Sequence, residues 1–268
     1  MIFSDLTLAK RLEGAEAFAG AQFAVVRSRL IPESGAAWTH CAGATLVFDG
    51  VDSPVTQSFG LGLFEDLTEG ALDEMEGFFL SRGAPVMHEV CPLAGTGALA
   101  LLCGRGYKPF EISNVMYRTV ERPETRPTGN LRVRVAAPEE AELWSAVSTR
   151  GWTHEHPELE GFMKEMGALC FARKQSPCFL AEVDGVPGAA GNLTIHEGVA
   201  LFGGAATVPE LRRCGLQAAL LDERMRYAFE QGCDLAMMVA EAGSNSQRNA
   251  ERQDFRIAYT RLKWRLGD

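Results

Sequence analysis

Apolar runs of the roughly 20 residues needed to cross a bilayer are missing from this 268-residue chain, so it is not expected to span a membrane. The amino terminus, with Asp5, Lys10, Arg11 and Glu13, lacks the apolar stretch of a signal peptide, and a cytoplasmic location is the expectation. Positive charge is also in short supply. Twenty-six Lys and Arg stand against 35 Asp and Glu, a formal net charge of -9, whereas a nucleic acid or an anionic membrane surface needs a clustered positive face. CxxC pairs are lacking too. Cys41, Cys91, Cys103, Cys170, Cys178, Cys214 and Cys233 are odd in number and sit mostly in apolar surroundings, which reads as reduced thiols. His154 and His156 are close in sequence, yet no third ligand of suitable spacing accompanies them, so no metal is expected. What is present, 46% hydrophobic and 23% charged residues, describes a globular chain long enough for one large or two small domains.

Taken in order, residues 1 to about 30 carry helical spacing through Leu8, Leu12, Ala15, Phe18, Phe23, Val26 and Leu30. Alternating apolar runs follow at Ala44 to Phe48 and Pro54 to Leu63, with a turn at Asp49-Gly50. Glu65 to Arg82 reads as an amphipathic helix, Val86 to Cys91 as a strand, Leu93 to Cys103 as a helix, and Gly106 to Arg118 as strand-like. Thr119 to Asn130 holds Pro123, Pro127 and Gly129 among polar residues and reads as a linker. The plan then repeats: strand Leu131 to Val135, helix Pro138 to Arg150, a less regular helical region to Ala172, and a hairpin of Cys178 to Val183 with Ala189 to Ile195 across Asp184-Gly185. Val199 to Val208 is a strand, followed by a helix that Gly232 stops, strand Leu235 to Ala240, helix Ser244 to Arg252, and a last strand over Phe255 to Trp264. Arg105-Gly106-Tyr107 followed by Tyr117-Arg118 matches Arg252-Gln253-Asp254-Phe255 followed by Trp264-Arg265, which favours an internal duplication.

One stretch organises the second half: Thr207-Val208-Pro209-Glu210-Leu211-Arg212-Arg213-Cys214-Gly215-Leu216-Gln217-Ala218-Ala219. A strand here feeds a helix through a turn with two arginines and a glycine. The first amides of a helix have no partner inside it, the dipole's positive end points the same way, and a glycine lets an anion approach the backbone. The plain alternative is a strand-turn-helix with two solvated arginines. The stretch resembles the cofactor motif of the GNAT acetyltransferase superfamily, Gln/Arg-x-x-Gly-x-Gly/Ala after a Val-x-Pro-like strand end. Arg212 takes the first position and Gly215 the fourth, while Gln217 stands at the sixth, where the family prefers Gly or Ala.

The resemblance implies an α/β (α+β) fold of two tandem GNAT-like domains, each a mixed, mostly antiparallel twisted sheet flanked by helices. It implies acetyl-CoA as acetyl donor, its pyrophosphate on the amides of Arg212, Arg213, Cys214, Gly215, Leu216, Gln217 and Ala218, and its acetyl carbonyl polarised by a strand amide near Ala205, Ala206 and Thr207. Many members carry a tyrosine as proton donor, but here Ala250 falls at that position and Gly243 at that of a usual asparagine. Ser244, Ser246 and Asn249 are then candidates for the pantetheine arm, with Ser244 equally readable as a helix N-cap. Tyr259 is the candidate acid, or a packing residue. Glu241, at the carboxyl end of a buried strand, is the candidate base, or a solvated carboxylate; His154, Glu155 and His156 are further ones. Trp152, His154 and His156 form a candidate substrate loop, or an exposed one.

The first half differs where it matters, because Glu65, Asp66 and Glu69 stand where a phosphate loop would be and carboxylates repel a pyrophosphate. The expected organisation is a degenerate domain without cofactor over 1–122, a linker over 123–130, and a catalytic domain over 131–268. The function this implies is N-acetyl transfer from acetyl-CoA to a primary amine of a small molecule or peptide; a homodimer is left open. A catalytically silent acyl-CoA-binding regulatory protein is the alternative that the missing tyrosine supports.

Overall fold

The structure is a computed structural model and describes residues 2–122, 129–154 and 157–267. In chain order the first elements are α1 (Leu6–Leu30), β1 (Ala37–Cys41), β2 (Ala44–Phe48), β3 (Gln57–Phe59), α2 (Glu69–Leu80), β4 (Met87–Val90), α3 (Gly95–Gly104) and β5 (Tyr107–Thr119). Then come β6 (Leu131–Val135), α4 (Ala141–Thr153), α5 (Glu160–Ala172), β7 (Cys178–Val183), β8 (Val186–His196), β9 (Val199–Thr207), α6 (Leu216–Glu230), β10 (Leu235–Glu241), α7 (Asn245–Glu251) and β11 (Arg256–Leu266). The order strand, strand, strand, helix, strand, helix, strand over β1 to β5 recurs over β7 to β11. Pairing recurs with it: β1/β2 and β2/β3 are antiparallel and β3/β4 parallel, as β7/β8 and β8/β9 are antiparallel and β9/β10 parallel. The fold is mixed α/β, its strands mostly antiparallel and flanked by helices, with the element order repeated once.

The compact units do not follow the halves of the sequence. One unit is Met1–Tyr117 together with Val239–Asp268, and the other is Arg118–Met238. The segment after Met238, expected in the second domain, packs with the first because β11 lies between β4 and β5, antiparallel to both. Residues 123–128 of the expected linker lie outside the described residues.

In the unit holding the first half, α1 starts at Asp5, whose side chain accepts from Leu8 N, and buries Leu8, Leu12, Ala15 and Ala19. The core beyond it gathers Leu46, Leu61, Leu72, Met75, Phe79, Val90 and Leu102. The run expected as strand over Pro54 to Leu63 is strand only at Gln57–Phe59. Side chains close a turn before it: Thr56 Oγ1 donates to Gly50 O (2.6 Å) and accepts from Asp49 N (2.9 Å), which takes those groups out of any ladder.

In the second unit β7 and β8 turn at Asp184 (φ +51°) and Gly185 (φ +78°), the pair of positive φ values a two-residue hairpin needs. Trp144 of α4 is 1% exposed and donates from Nε1 to Phe179 O at 3.0 Å, locking α4 to β7. Helix α6 buries Leu216 and Leu220, each worth about 1.5–3 kcal/mol on burial. Among the described residues no helix is long and apolar enough to cross a membrane.

Candidate functional site

Strand β9 is bulged near its end. Its register with β8 runs Asn192↔Gly203 and then Ala190↔Ala206, so Gly204 and Ala205 together face Gly191, with Gly204 at φ +57°. The parallel register of β9 with β10 ends at Leu201↔Met237. The Asn192 side chain lies under the bulge: a Cβ on Gly203 or on Gly204 would come within 2.9 Å of its amide. Asn192 Nδ2 donates in turn to Cys170 Sγ at 3.5 Å.

Past the strand, Val208 N donates to Gly188 O (2.9 Å) and a short 3-10 turn covers Pro209–Leu211. Arg213 then takes φ +66° and Gly215 φ +84° before α6 begins. A left-handed arginine carries backbone strain that the surrounding turn must hold. Gly215 is the N-cap and no side chain caps the helix, nor is any acidic residue in its first turn. The helix thus presents its first amides and its positive dipole end beside exposed Arg212, Arg213 and Cys214. A Cβ on Gly215 would meet Leu131 Cδ1 at 3.3 Å. Gln217, the departure from the motif, folds back and donates from Nε2 to Thr207 Oγ1 at 2.6 Å, tying the helix to the strand end.

Residues 139–255 match the sequence model of the acetyltransferase (GNAT) family. They form a GNAT domain. Among solved structures, the GCN5-related N-acetyltransferase from Kribbella flavida is similar with a TM-score of 0.64 at 19% identity, covering 93% of this chain and 96% of its own. A tandem GNAT protein from the clavulanic acid biosynthesis pathway is similar with a TM-score of 0.58 at 13% identity, covering 100% of this chain and 98% of its own. A GCN5-related N-acetyltransferase from Sphaerobacter thermophilus gives 0.56 at 18% identity, with 83% and 79% covered. No curated protein sequence matches.

Two further glycines shape the end of β9 and the turn into α6. A Cβ on Gly188 would lie 2.5 Å from Leu211 Cδ1 and 2.7 Å from Leu216 Cδ1, so this glycine makes room for the leucines on either side of the loop. A Cβ on Gly151 would lie 2.6 Å from Ala206 Cβ and 3.0 Å from Thr207 N, so α4 meets the end of β9 at backbone distance. Neither glycine has a positive φ or a motif to flag it. Next to Gly151, Trp152 is 49% exposed and His154 is exposed at the end of α4; His156 and Glu155 lie outside the described residues. Arg150 pairs with Glu210 across 3.0 Å, both exposed, a link worth little beyond holding the geometry.

The other expected site residues fall in the unit that holds the first half. Glu241 is exposed at the end of β10, and Ser246 and Asn249 are exposed on α7. Ser244 is the N-cap of α7, its side chain accepting from Gln247 N at 3.2 Å. Tyr259, expected at the thiol, has its hydroxyl engaged elsewhere: it donates to Glu13 Oε1 at 2.9 Å and the residue is only 8% exposed. Burial pushes its phenol far above the ordinary range. The same pocket holds Arg261 against Glu13 (3.0 Å), Glu16 (2.6 Å) and Glu89 (2.8 Å). Three acids around one cation, joined to α1 at a separation of 248 residues, have no local sequence signature. Among the described residues no group of three or more His, Cys, Asp or Glu is placed to hold a metal ion. The seven cysteines are free thiols.

Proposed function

We propose that this protein is an N-acetyltransferase that carries an acetyl group from acetyl-CoA to a primary amine of a small molecule or a peptide, with both substrates bound at once. The observation that carries this reading is the start of α6, an uncapped helix N-terminus opened by Gly215 at φ +84° behind two exposed arginines, inside the family-matched segment. Its amides and dipole suit a pyrophosphate, and Gly215 leaves the approach clear of a side chain. The bulge at Gly204 and Ala205 offers amide donors to the oxygen on which charge develops as the amine attacks. In that step the amine nitrogen bonds to the carbonyl carbon, the carbon–sulfur bond breaks and the thiolate leaves. His154 is the proton acceptor we propose, and water returns a proton to the thiolate, since Tyr259 already donates to Glu13.

The first half supports a single cofactor site per chain. There the helix that follows β3 is capped by its own Thr68, whose Oγ1 accepts from Ala71 N at 3.1 Å, with Glu69 in its first turn. The Phe64 ring also occupies the space beside Gly60. A silent acyl-CoA-binding protein is the second reading, favoured by buried Ala250 at the place of the family tyrosine. Calorimetry with acetyl-CoA and release of free thiol over a panel of primary amines decide between them. One site per chain with thiol release is expected. One site without thiol release for any amine supports the silent reading, and no binding at all refutes both.

A further inference from the structure

Helix α6 carries a cation on its buried stripe. Leu216, Leu220 and Ala228 recur every four residues along its inner face, and Arg224 fills the position between them at 1% exposure. Among the described residues no carboxylate pairs with it. Instead Nη1 donates to Asn192 O (3.1 Å) and Gly203 O (3.4 Å), Nε donates to Leu220 O (3.2 Å), and the guanidinium lies 4.9 Å from the Phe202 ring centroid. An apolar side chain of similar length would fill the stripe without the cost of burying a charge, so the arginine calls for an explanation. Burial pulls its pKa down to about 9, which still leaves it a cation at neutral pH.

Two of its three acceptors, Asn192 O and Gly203 O, are the backbone carbonyls that frame the bulge. Gly203 O belongs to the same peptide group as the N–H of Gly204, and a charged donor on the carbonyl polarises that N–H. Arg224 lies eight residues beyond Leu216, about 12 Å along the helix axis at 1.5 Å per residue. One rigid element therefore joins the phosphate loop to the bulge. We propose that Arg224 is a positioning residue for acetyl transfer, its cation fixing the bulge of β9 and making the Gly204 amide a stronger donor to the acetyl carbonyl. This rests on the acetyltransferase reading above.

The test compares wild type, Arg224→Met and Arg224→Lys, first without ligand and then with acetyl-CoA and CoA. In protein labelled with 15N-glycine, the Gly204 amide is assigned through Gly204→Ala. Arg224→Met is expected to move the Gly204 amide proton upfield. Arg224→Lys is expected to resemble wild type at low pH and Arg224→Met at high pH. A buried lysine is a cation below its depressed pKa and neutral above it, so the switch runs in that direction. Acetyl-CoA affinity relative to CoA should fall about tenfold in Arg224→Met at neutral pH, and in Arg224→Lys only as pH rises. A folded Arg224→Met with an unmoved Gly204 amide overturns the proposal, as does an Arg224→Lys whose Gly204 amide ignores the lysine titration. Should Arg224→Met not fold, the lysine titration decides alone. Wild type that binds neither ligand removes the acetyltransferase reading, while the Gly204 amide still shows whether Arg224 acts on the bulge.

Discussion

At Gly215 the backbone sits at φ +84°, and the nearest atom to a Cβ there would be Leu131 Cδ1 at 3.3 Å. Valine at this position meets both penalties, the left-handed conformation costing about 1–3 kcal/mol of stability, and also puts a side chain where a pyrophosphate approaches. Arg212→Glu adds repulsion at an exposed position without filling space. Each change is expected to weaken acetyl-CoA binding about tenfold or more, or about 1.4 kcal/mol, with melting temperature falling much further for Gly215→Val than for Arg212→Glu. Calorimetry and thermal melts on the two variants check this, and parent-like binding in both returns the turn to scaffolding. The motif glycine and arginines are legible in sequence because their job is local: a sharp turn beside a helix start. Gln217 is legible only as a departure from the motif, since its partner Thr207 is a matter of loop closure. Arg224 carries a faint signal, a charge on an otherwise apolar four-residue stripe, but which carbonyls it meets depends on where β9 bulges.

Elements whose pattern is fixed by their own residues are read well from sequence. Cys178–Val183 and its Asp184-Gly185 turn are found where the alternation and turn chemistry place them. Edge strand β1 is missed because Trp38, Thr39 and His40 are all exposed and give no alternation. The buried acids of α1 and β4 are missed because Glu13 and Glu89 look like surface residues until Arg261 of β11 arrives between them. Their pH behaviour follows from burial, which raises Glu89 from 4.5 to about 7 and raises Glu13 as well. A carboxyl that holds its proton more tightly in the fold than in the open chain stabilises the fold fully below about pH 4.5, and that contribution is lost as pH rises through about 7. Denaturant midpoints between pH 5 and 8 should therefore show wild type losing stability relative to Glu89→Gln as pH increases. A constant gap between the two across that range would sink this account of the cluster.

For the whole chain, the order of elements is duplicated but the packing is not divided at the duplication. Strand β11 is encoded last, yet it pairs with β5 from Arg256↔Tyr117 to Leu266↔Tyr107 and with β4 from Leu262↔Val90 to Arg265↔Met87. It also delivers Arg261, whose removal takes the guanidinium away from buried Glu13 and Glu89; breaking such buried pairs typically costs about 3–5 kcal/mol. Sequence periodicity places a strand over Phe255 to Trp264 but has no means of saying which strands flank it, because pairing partners are chosen by tertiary contacts across the chain. A fragment of residues 1–120 is consequently expected to lack the strand that joins β4 to β5, to give weak and non-cooperative melting, and to aggregate through the exposed edges of β4 and β5. Co-expressed with residues 121–268, it should purify as a 1:1 complex that melts cooperatively near the intact protein. Circular dichroism and size-exclusion chromatography on the fragment, alone and paired, make the comparison. A 1–120 fragment that melts cooperatively at the temperature of the intact chain would show that β11 is dispensable to that unit, and the cluster around Arg261 with it.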